Sequence, residues 1–325
     1  AKASGTASYN REYSFYDADH PSNRVSIMGN PTLGEVKTMM IGVRNKAGEV
    51  KSAEIWVNEL RLKEYNSEGG WAAQGNLNVQ LSDFGTVNVQ GRYISEGFGG
   101  LEDRVDQRST DDYKNYSVTT SLELGKFFPD KAKVTAPLYY SVTKEETRPK
   151  YNPLDTDMKL DDALESAANT QERDSIERIA VTRTTNTNFS LSNVRVGIQT
   201  KRHPMPYDPA NFSFSYSHSH RYTSGETTVY EKEDNWRGAM SYNWTPVFKA
   251  WEPFKKIKNK SKWLDILKKF GLNWLPQNLG FNSELTRSYY ELQERDMESM
   301  ESGELPLTFS SQFLWNRDFT LRWDL

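Results

Sequence analysis

The 325-residue sequence contains no cysteine. Disulfide scaffolds, thiolate zinc sites and cysteine nucleophiles are thereby excluded, although the lack of thiols does not fix a compartment. It carries no surplus of positive charge either. Lys and Arg number 41 against 44 Asp and Glu, a formal net charge of −3. A general nucleic-acid binder would show a basic excess, so no nucleic-acid partner is expected. Long apolar runs are also missing. Hydrophobic residues make up 36% of the chain and mean hydropathy is −0.79. No stretch approaches the ~18 apolar residues of a transmembrane helix, which excludes a helical membrane protein. A transmembrane β-barrel survives this test, because alternation hides its strands from hydropathy. The opening AKASGTASYN lacks the apolar stretch of a secretory leader. We therefore expect either a mature start or an internal piece of a longer protein. Aromatic residues, in contrast, are plentiful, with 9 Trp, 17 Tyr and 15 Phe. A disordered chain would lack them; one wet face and one aromatic-rich face would account for them.

The clearest pattern has period 2. In 71–82, Leu77, Val79 and Leu81 share one parity, and Asn76, Asn78 and Gln80 the other. Such alternation over ~10 residues is a strand with one apolar and one polar side. It recurs at 85–96, with Val87 and Val89 against Asn88 and Gln90. At 113–125, Val118, Leu122 and Leu124 oppose Ser117, Thr119 and Ser121. At 210–222, Phe212 and Phe214 oppose Ser213, Ser215 and Ser217. Further strands are expected at 132–143, 186–198, 234–245, 278–291, 307–315 and 318–325, about ten of membrane-spanning length in all. The apolar set reads as a lipid-facing band and the polar set as a wet lumen. One sheet of a soluble sandwich would show the same alternation. Trp71, Tyr93, Tyr139, Trp236, Trp244, Trp315 and Trp323 lie near expected strand ends, where they would form interfacial girdles or pack under loops.

The connections alternate in length. The turn 83–85, FFPDK (127–131) and the proline-rich 201–209 are short, whereas 97–112 and 144–180 are long. Short inner turns and longer outer loops are the barrel habit, which 247–277 breaks. Two helices are expected. One lies in 158–180, with Leu160, Ala163, Leu164, Ala167 and Ala168 at helical spacing. The other lies in 255–270, with a stripe of Trp263, Ile266, Leu267 and Phe270 amid Lys255, Lys256 and Lys258. That basic helix could lie on an anionic leaflet, dock a periplasmic partner, or cap the barrel rim. Residues 1–66 read differently: KTMMIGVRN (37–45) and SAEIWVNELRL (52–62) are apolar on both parities, as in part of a β-sandwich. We place a domain boundary in 65–70.

Chemistry is sparse. No phosphate loop, metalloprotease helix or nucleophile elbow is present, so no enzyme activity and no cofactor are expected. His218 and His220 share a strand face about 7 Å apart, but the sequence shows no carboxylate run beside them, so no metal site is assigned. Glu102, Asp103, Asp111 and Asp112 read as a solvated acidic loop rather than a glycosidase pair.

Three segments carry a resemblance. IWVNELRL (55–62) with GGWAAQGNL (69–77), RPKYNPLDTDMKL (148–160), and KKFGLNWLPQNLGFNSELTRSYYE (268–291) resemble the SprA/Sov family, the giant outer-membrane translocons of type IX secretion. The resemblance runs along most of the chain in the same order. It implies a single-chain barrel of about 36 strands, of which this chain is an internal segment. Folded cargo with C-terminal sorting domains would pass through the pore, with links to gliding motility in some relatives. It implies an outer cap, to which 1–66 would belong, and a lateral opening. The implied partners are the rest of the barrel chain, a PorV-like shuttle barrel, a periplasmic plug protein, and outer-membrane lipid and lipopolysaccharide. A rival from another class is a secreted all-β adhesin or carbohydrate-binding module.

Overall fold

The computed structural model describes residues 11–29, 36–59, 61, 68–200, 204–247, 249–254, 271–296 and 305–323. The protein is all-β in its main body. After a small hairpin, β1 (Tyr13–Tyr16) with β2 (Arg24–Ile27), come β3 (Ala72–Leu81), β4 (Gly85–Ile94), β5 (Asp111–Glu123), β6 (Val134–Thr135) and β7 (Pro137–Pro149). A second hairpin, β8 (Tyr151–Asn152) with β9 (Asp155–Lys159), precedes helices α1 (Leu160–Glu165) and α2 (Thr170–Ala180). Then follow β10 (Thr182–Val196), β11 (Phe212–Ser224), β12 (Thr228–Trp244), β13 (Asn278–Glu294) and β14 (Thr308–Arg322). Nine of these form one antiparallel meander in the order β3-β4-β5-β7-β10-β11-β12-β13-β14, and β6 pairs β10 beside it. No described helix is long and apolar enough to cross a membrane.

The chain divides into two units. One gathers Ala1–Gly70, Glu96–Asp111 and Pro149–Ala180; the other, Trp71–Ser95, Asp112–Arg148 and Val181–Leu325, holds the large sheet. In the first unit Leu160, Ala163 and Leu164 of α1 are buried. The single helix expected over 158–180 is two. The Ser166 hydroxyl donates to the Ala163 carbonyl at the end of α1, and the Asn169 side chain accepts the Glu172 N–H to start α2. Short polar side chains bonded to local backbone end one helix and begin the next. No strand runs through 36–59, where Ile55, Trp56 and Val57 are exposed. The dense apolar text there predicts burial, but a strand needs a hydrogen-bonded neighbour, and 36–59 has none among the described residues.

In the sheet, the expected strand 132–143 is two pieces, β6 and β7, and the expected pair 307–315 and 318–325 is one strand, β14. The polar triplet Asn316, Arg317, Asp318 reads as a break, yet each residue sits in register opposite β13. Several strands are also longer than their apolar text. β7 continues through Lys144–Pro149, and β12 begins at Thr228. Cross-strand ion pairs sustain the extension: Glu146 accepts from Arg183 at 3.1 Å and lies 3.4 Å from Lys114.

One irregularity keeps the faces consistent. Leu191 pairs Tyr216, but the next register partner of Phe214 is Val194, so β10 carries one extra residue. Asn193 takes φ +54° there and its N–H donates to Ser215 Oγ at 2.8 Å. Asn tolerates this left-handed conformation better than most residues. Without the bulge, Val194 and Val196 would turn to the polar side.

Candidate functional site

The functional feature is a sheet with two unlike faces, and the register fixes which residue stands where. Leu77 pairs Val89 and Val79 pairs Val87; Val118 pairs Val89. These residues, with Leu81 and Leu122, share one face. Asn78 pairs Asn88, which pairs Thr119, and Asn76 pairs Gln90, which pairs Ser117. Gln80 and Ser121 each oppose Thr86, on that same second face. Leu124 departs from its expected place. It opens a 3-10 turn after β5, where its N–H donates to the Ala136 carbonyl.

Contacts carry both faces across to β7. Asn115, on the polar parity, donates to Glu145, and Lys144 stands over the Tyr116 ring on the apolar parity. Beyond, Phe189 pairs Tyr140 and Leu191 pairs Leu138. Phe212 opposes Tyr242, which opposes Phe281, which opposes Phe319, one aromatic row over four strands. Phe214 opposes Met240 in the next row. Ser213, Ser215 and Ser217 fall on the other face, opposite Ser241, Ala239 and Arg237. There Arg237 donates twice to Glu284, at 2.8 and 2.9 Å. Apolar residues on the first face are well exposed in this segment: Leu77 at 59% and Phe319 at 78%.

The aromatics divide by position. Trp71 and Tyr93 pack at 4.6 Å between centroids at one end of β3 and β4. Trp244 and Trp323 mark the opposite sheet end, their indole N–H groups donating to the Pro204 and Asn273 carbonyls. Trp236 and Trp315 lie within the apolar face, further along the strands. Tyr139 pairs Ser190 and so stands on the polar parity. The basic-helix residues Lys255, Lys256, Lys258, Trp263, Ile266, Leu267 and Phe270 lie outside the described residues.

Sequence reasoning missed one constellation. Asp234 is 5% exposed and its Oδ1 meets His218 Nε2 at 3.1 Å and His220 Nδ1 at 2.8 Å. Lys232 Nζ lies 3.2 Å from its other oxygen, and His218 stacks on Trp236. The carboxylate comes from the neighbouring strand, which no local spacing reveals. Nearby, Tyr230 and Tyr289 both donate to Glu291. The same parity that is apolar near Phe212 is therefore hydrogen-bonded and charged toward Ser224. No group among the described residues has the ligand set of a metal site.

The connections at the Trp244 end are pinned by carboxylates. Asp83 takes a bond from Lys126 Nζ at 2.6 Å, and this partner holds its carboxyl below the ordinary value. Asp208 accepts from Thr200 Oγ1 at 2.7 Å, Thr200 N at 3.1 Å and Met205 N at 2.8 Å. The Thr200 hydroxyl, aided by these backbone N–H groups, holds the Asp208 carboxyl below 3.8. A depressed carboxylate stabilises the fold above its unfolded pKa, and that contribution fades as pH falls through the folded value. Backbone exchange protection at Thr200 and Met205 should therefore be steady from pH 7 to 5 and weaken below about pH 4. Asp208→Asn should remove the pH step; a step that persists in the variant would refute this assignment.

Fold and faces together define an all-β protein whose large antiparallel sheet is apolar on one side and polar on the other. A family model for motility related/secretion proteins, SprA_N, matches residues 1–164. The match covers half of the chain, and the chain belongs to this SprA family of secretion and motility proteins. No curated protein matches it.

Proposed function

We propose that this chain is a wall segment of a protein-conducting outer-membrane barrel that passes folded cargo bearing C-terminal sorting domains, as the resemblance to type IX translocons implies. One observation carries the reading. On the apolar face, the rows from Trp244 to Trp236 are eight residues apart, about 26 Å along a strand and about 20 Å of height at a barrel tilt of about 40°. That is most of the outward apolar band of a transmembrane barrel, which is about 25 Å tall and edged by aromatic residues. The strands continue past that band: β12, at 17 residues, is about 56 Å long.

Two further features favour a wall over a closed module. Among the described strands, β3 and β14 each have one partner, and a barrel tolerates no open edge in lipid. The rest of the barrel chain would pair there. The opposite face offers mostly small hydroxyls and amides, with the charges of Arg237 and Glu284 matched to each other, a surface that keeps a lumen wet without holding a charged passenger. Nothing here acts as a catalyst in this reading, and energy for transport comes from elsewhere. A shuttle barrel, a plug and the cargo would meet other parts of the full chain.

Fractionation tests the reading. Antibody to this segment should find a chain far larger than 37.4 kDa in the outer membrane, released only by detergent. A band in the soluble fraction would overturn the proposal and favour a surface adhesin or carbohydrate-binding module.

A further inference from the structure

We propose that the free edge of β14 pairs with an antiparallel strand of the full-length chain that carries an aspartate or glutamate beside Arg317. The inference rests on the reading that the rest of the barrel chain continues the sheet there, and it adds the chemistry that this neighbour must bring.

Arg317 is out of place on the apolar face. The register sets it opposite Ser283, which stands opposite Met240. That row is the third of the five that run from Trp244 to Trp236 on β12. Along β14 its neighbours on the same face are Trp315 and Phe319, and its diagonal neighbours on β13 are Phe281 and Leu285. None of these is a carboxylate, and among the described residues no carboxylate meets Arg317. Its guanidinium lies 4.2 Å from the Trp315 ring centre, and Trp315 Nε1 donates to Ser283 Oγ at 2.9 Å. A ring face attracts the charge but gives five N–H donors no lone pair to meet. Arg287 also stands over an indole, but in the Trp236 row, at the end of the apolar rows and one row from Asp234. Arg317 is two rows further in.

Two arginines elsewhere in this sheet show how such a charge is matched. Arg183 meets Glu146 directly opposite, at 3.1 Å. Arg237, opposite Thr286, reaches the diagonal Glu284 at 2.8 and 2.9 Å. Both carboxylates come from the adjoining strand. Around Arg317 the β13 side is filled, and what remains is the open side of β14, which has one partner among the described strands.

A strand placed there brings its directly opposed residue within about 5 Å and its diagonal ones within about 7–8 Å, the two arrangements that Arg183 and Arg237 use. Guanidinium and carboxylate form paired charge-assisted hydrogen bonds, and each charge relieves the other of an unmatched place in lipid. The pair would also lock the joint, because a slip of one residue turns the carboxylate to the opposite face. The nine strands of the meander follow one another in chain order, so the neighbour that continues the pattern is a strand of the same chain.

The test uses the full chain in bilayers. Benzoylphenylalanine first replaces Phe319, one row from Arg317 on the same face, and its photoproducts are read by peptide mass spectrometry. The expected product joins it to a peptide of the full chain outside residues 1–325. Products with β13 and lipid alone would mean that the edge is open, and the barrel reading itself would fail. A product with a different protein would make the edge a surface between chains and overturn the proposal. Arg317→Lys then keeps the charge and supplies an amine, which a carbodiimide should join to an aspartate or glutamate of that same peptide. Finally, Arg317→Leu should lower the folded fraction in urea about tenfold or more, because it strands a carboxylate in lipid. An arginine that met only lipid and Trp315 would give the opposite sign, since leucine suits that face better. Absence of the carbodiimide product, or a raised folded fraction for Arg317→Leu, would overturn the acidic partner, while the photoproduct would keep the strand pairing intact.

Discussion

Arginine in place of Val89 should lower the stability of the assembled chain by about 2–4 kcal/mol, roughly 30-fold or more in the folded fraction. Val89 is at the middle of its row, with Leu77 on one side and Val118 on the other. All three point to the face read as lipid-facing, where a guanidinium has neither water nor a carboxylate. Asn88→Arg is the control. It lies one residue away, but it points to the face shared with Asn78 and Thr119. There the cost should stay within about 0.5 kcal/mol, the usual range of a solvated surface change. Urea titration of the full chain in bilayers, for both variants, reads the difference. Equal losses would remove the distinction between the faces.

The second large effect is expected at Gly125. A β-carbon there would collide with the Val134 carbonyl oxygen and with the Glu123 carboxylate. Neither neighbour can yield cheaply. Val134 is backbone of β6, held to β10 opposite Val196. Glu123 Oε1 already accepts the Gly125 N–H at 3.1 Å and the Ala136 N–H at 2.6 Å. Gly125→Ala must therefore break the turn or the β6–β10 pairing, at a cost of about 3 kcal/mol. Hydrogen exchange in the full chain should show lost protection over 124–136 and unchanged protection in β12 and β13. Full protection in the variant would contradict the packing described here.

The faces were legible in the sequence wherever one face is uniformly apolar. β3, β4 and β5 alternate Leu or Val with Asn, Gln, Ser or Thr, and the period alone assigns each side. Legibility fails where partners come from another strand. Charged stretches such as Lys144–Arg148 read as loop, because the ion pairs that keep them in the sheet join residues 32 to 37 positions apart. The Asn193 bulge is invisible for the same reason: one extra residue matters only against β11. Asp234 looked unremarkable until two histidines from β11 converged on it. In 36–59 the failure runs the other way. Apolar density suggested buried strands, but density does not supply a pairing partner.

The central claim is that one side of this sheet faces lipid and the other water. The segment's lack of cysteine makes the direct test clean. Single cysteines at 87, 88, 89 and 90, placed in the full chain in its native membrane, are exposed to a charged maleimide and read by peptide mass spectrometry. The account predicts modification at 88 and 90 and protection at 87 and 89, a period of two. Uniform modification of all four positions, or the opposite phase, would contradict it.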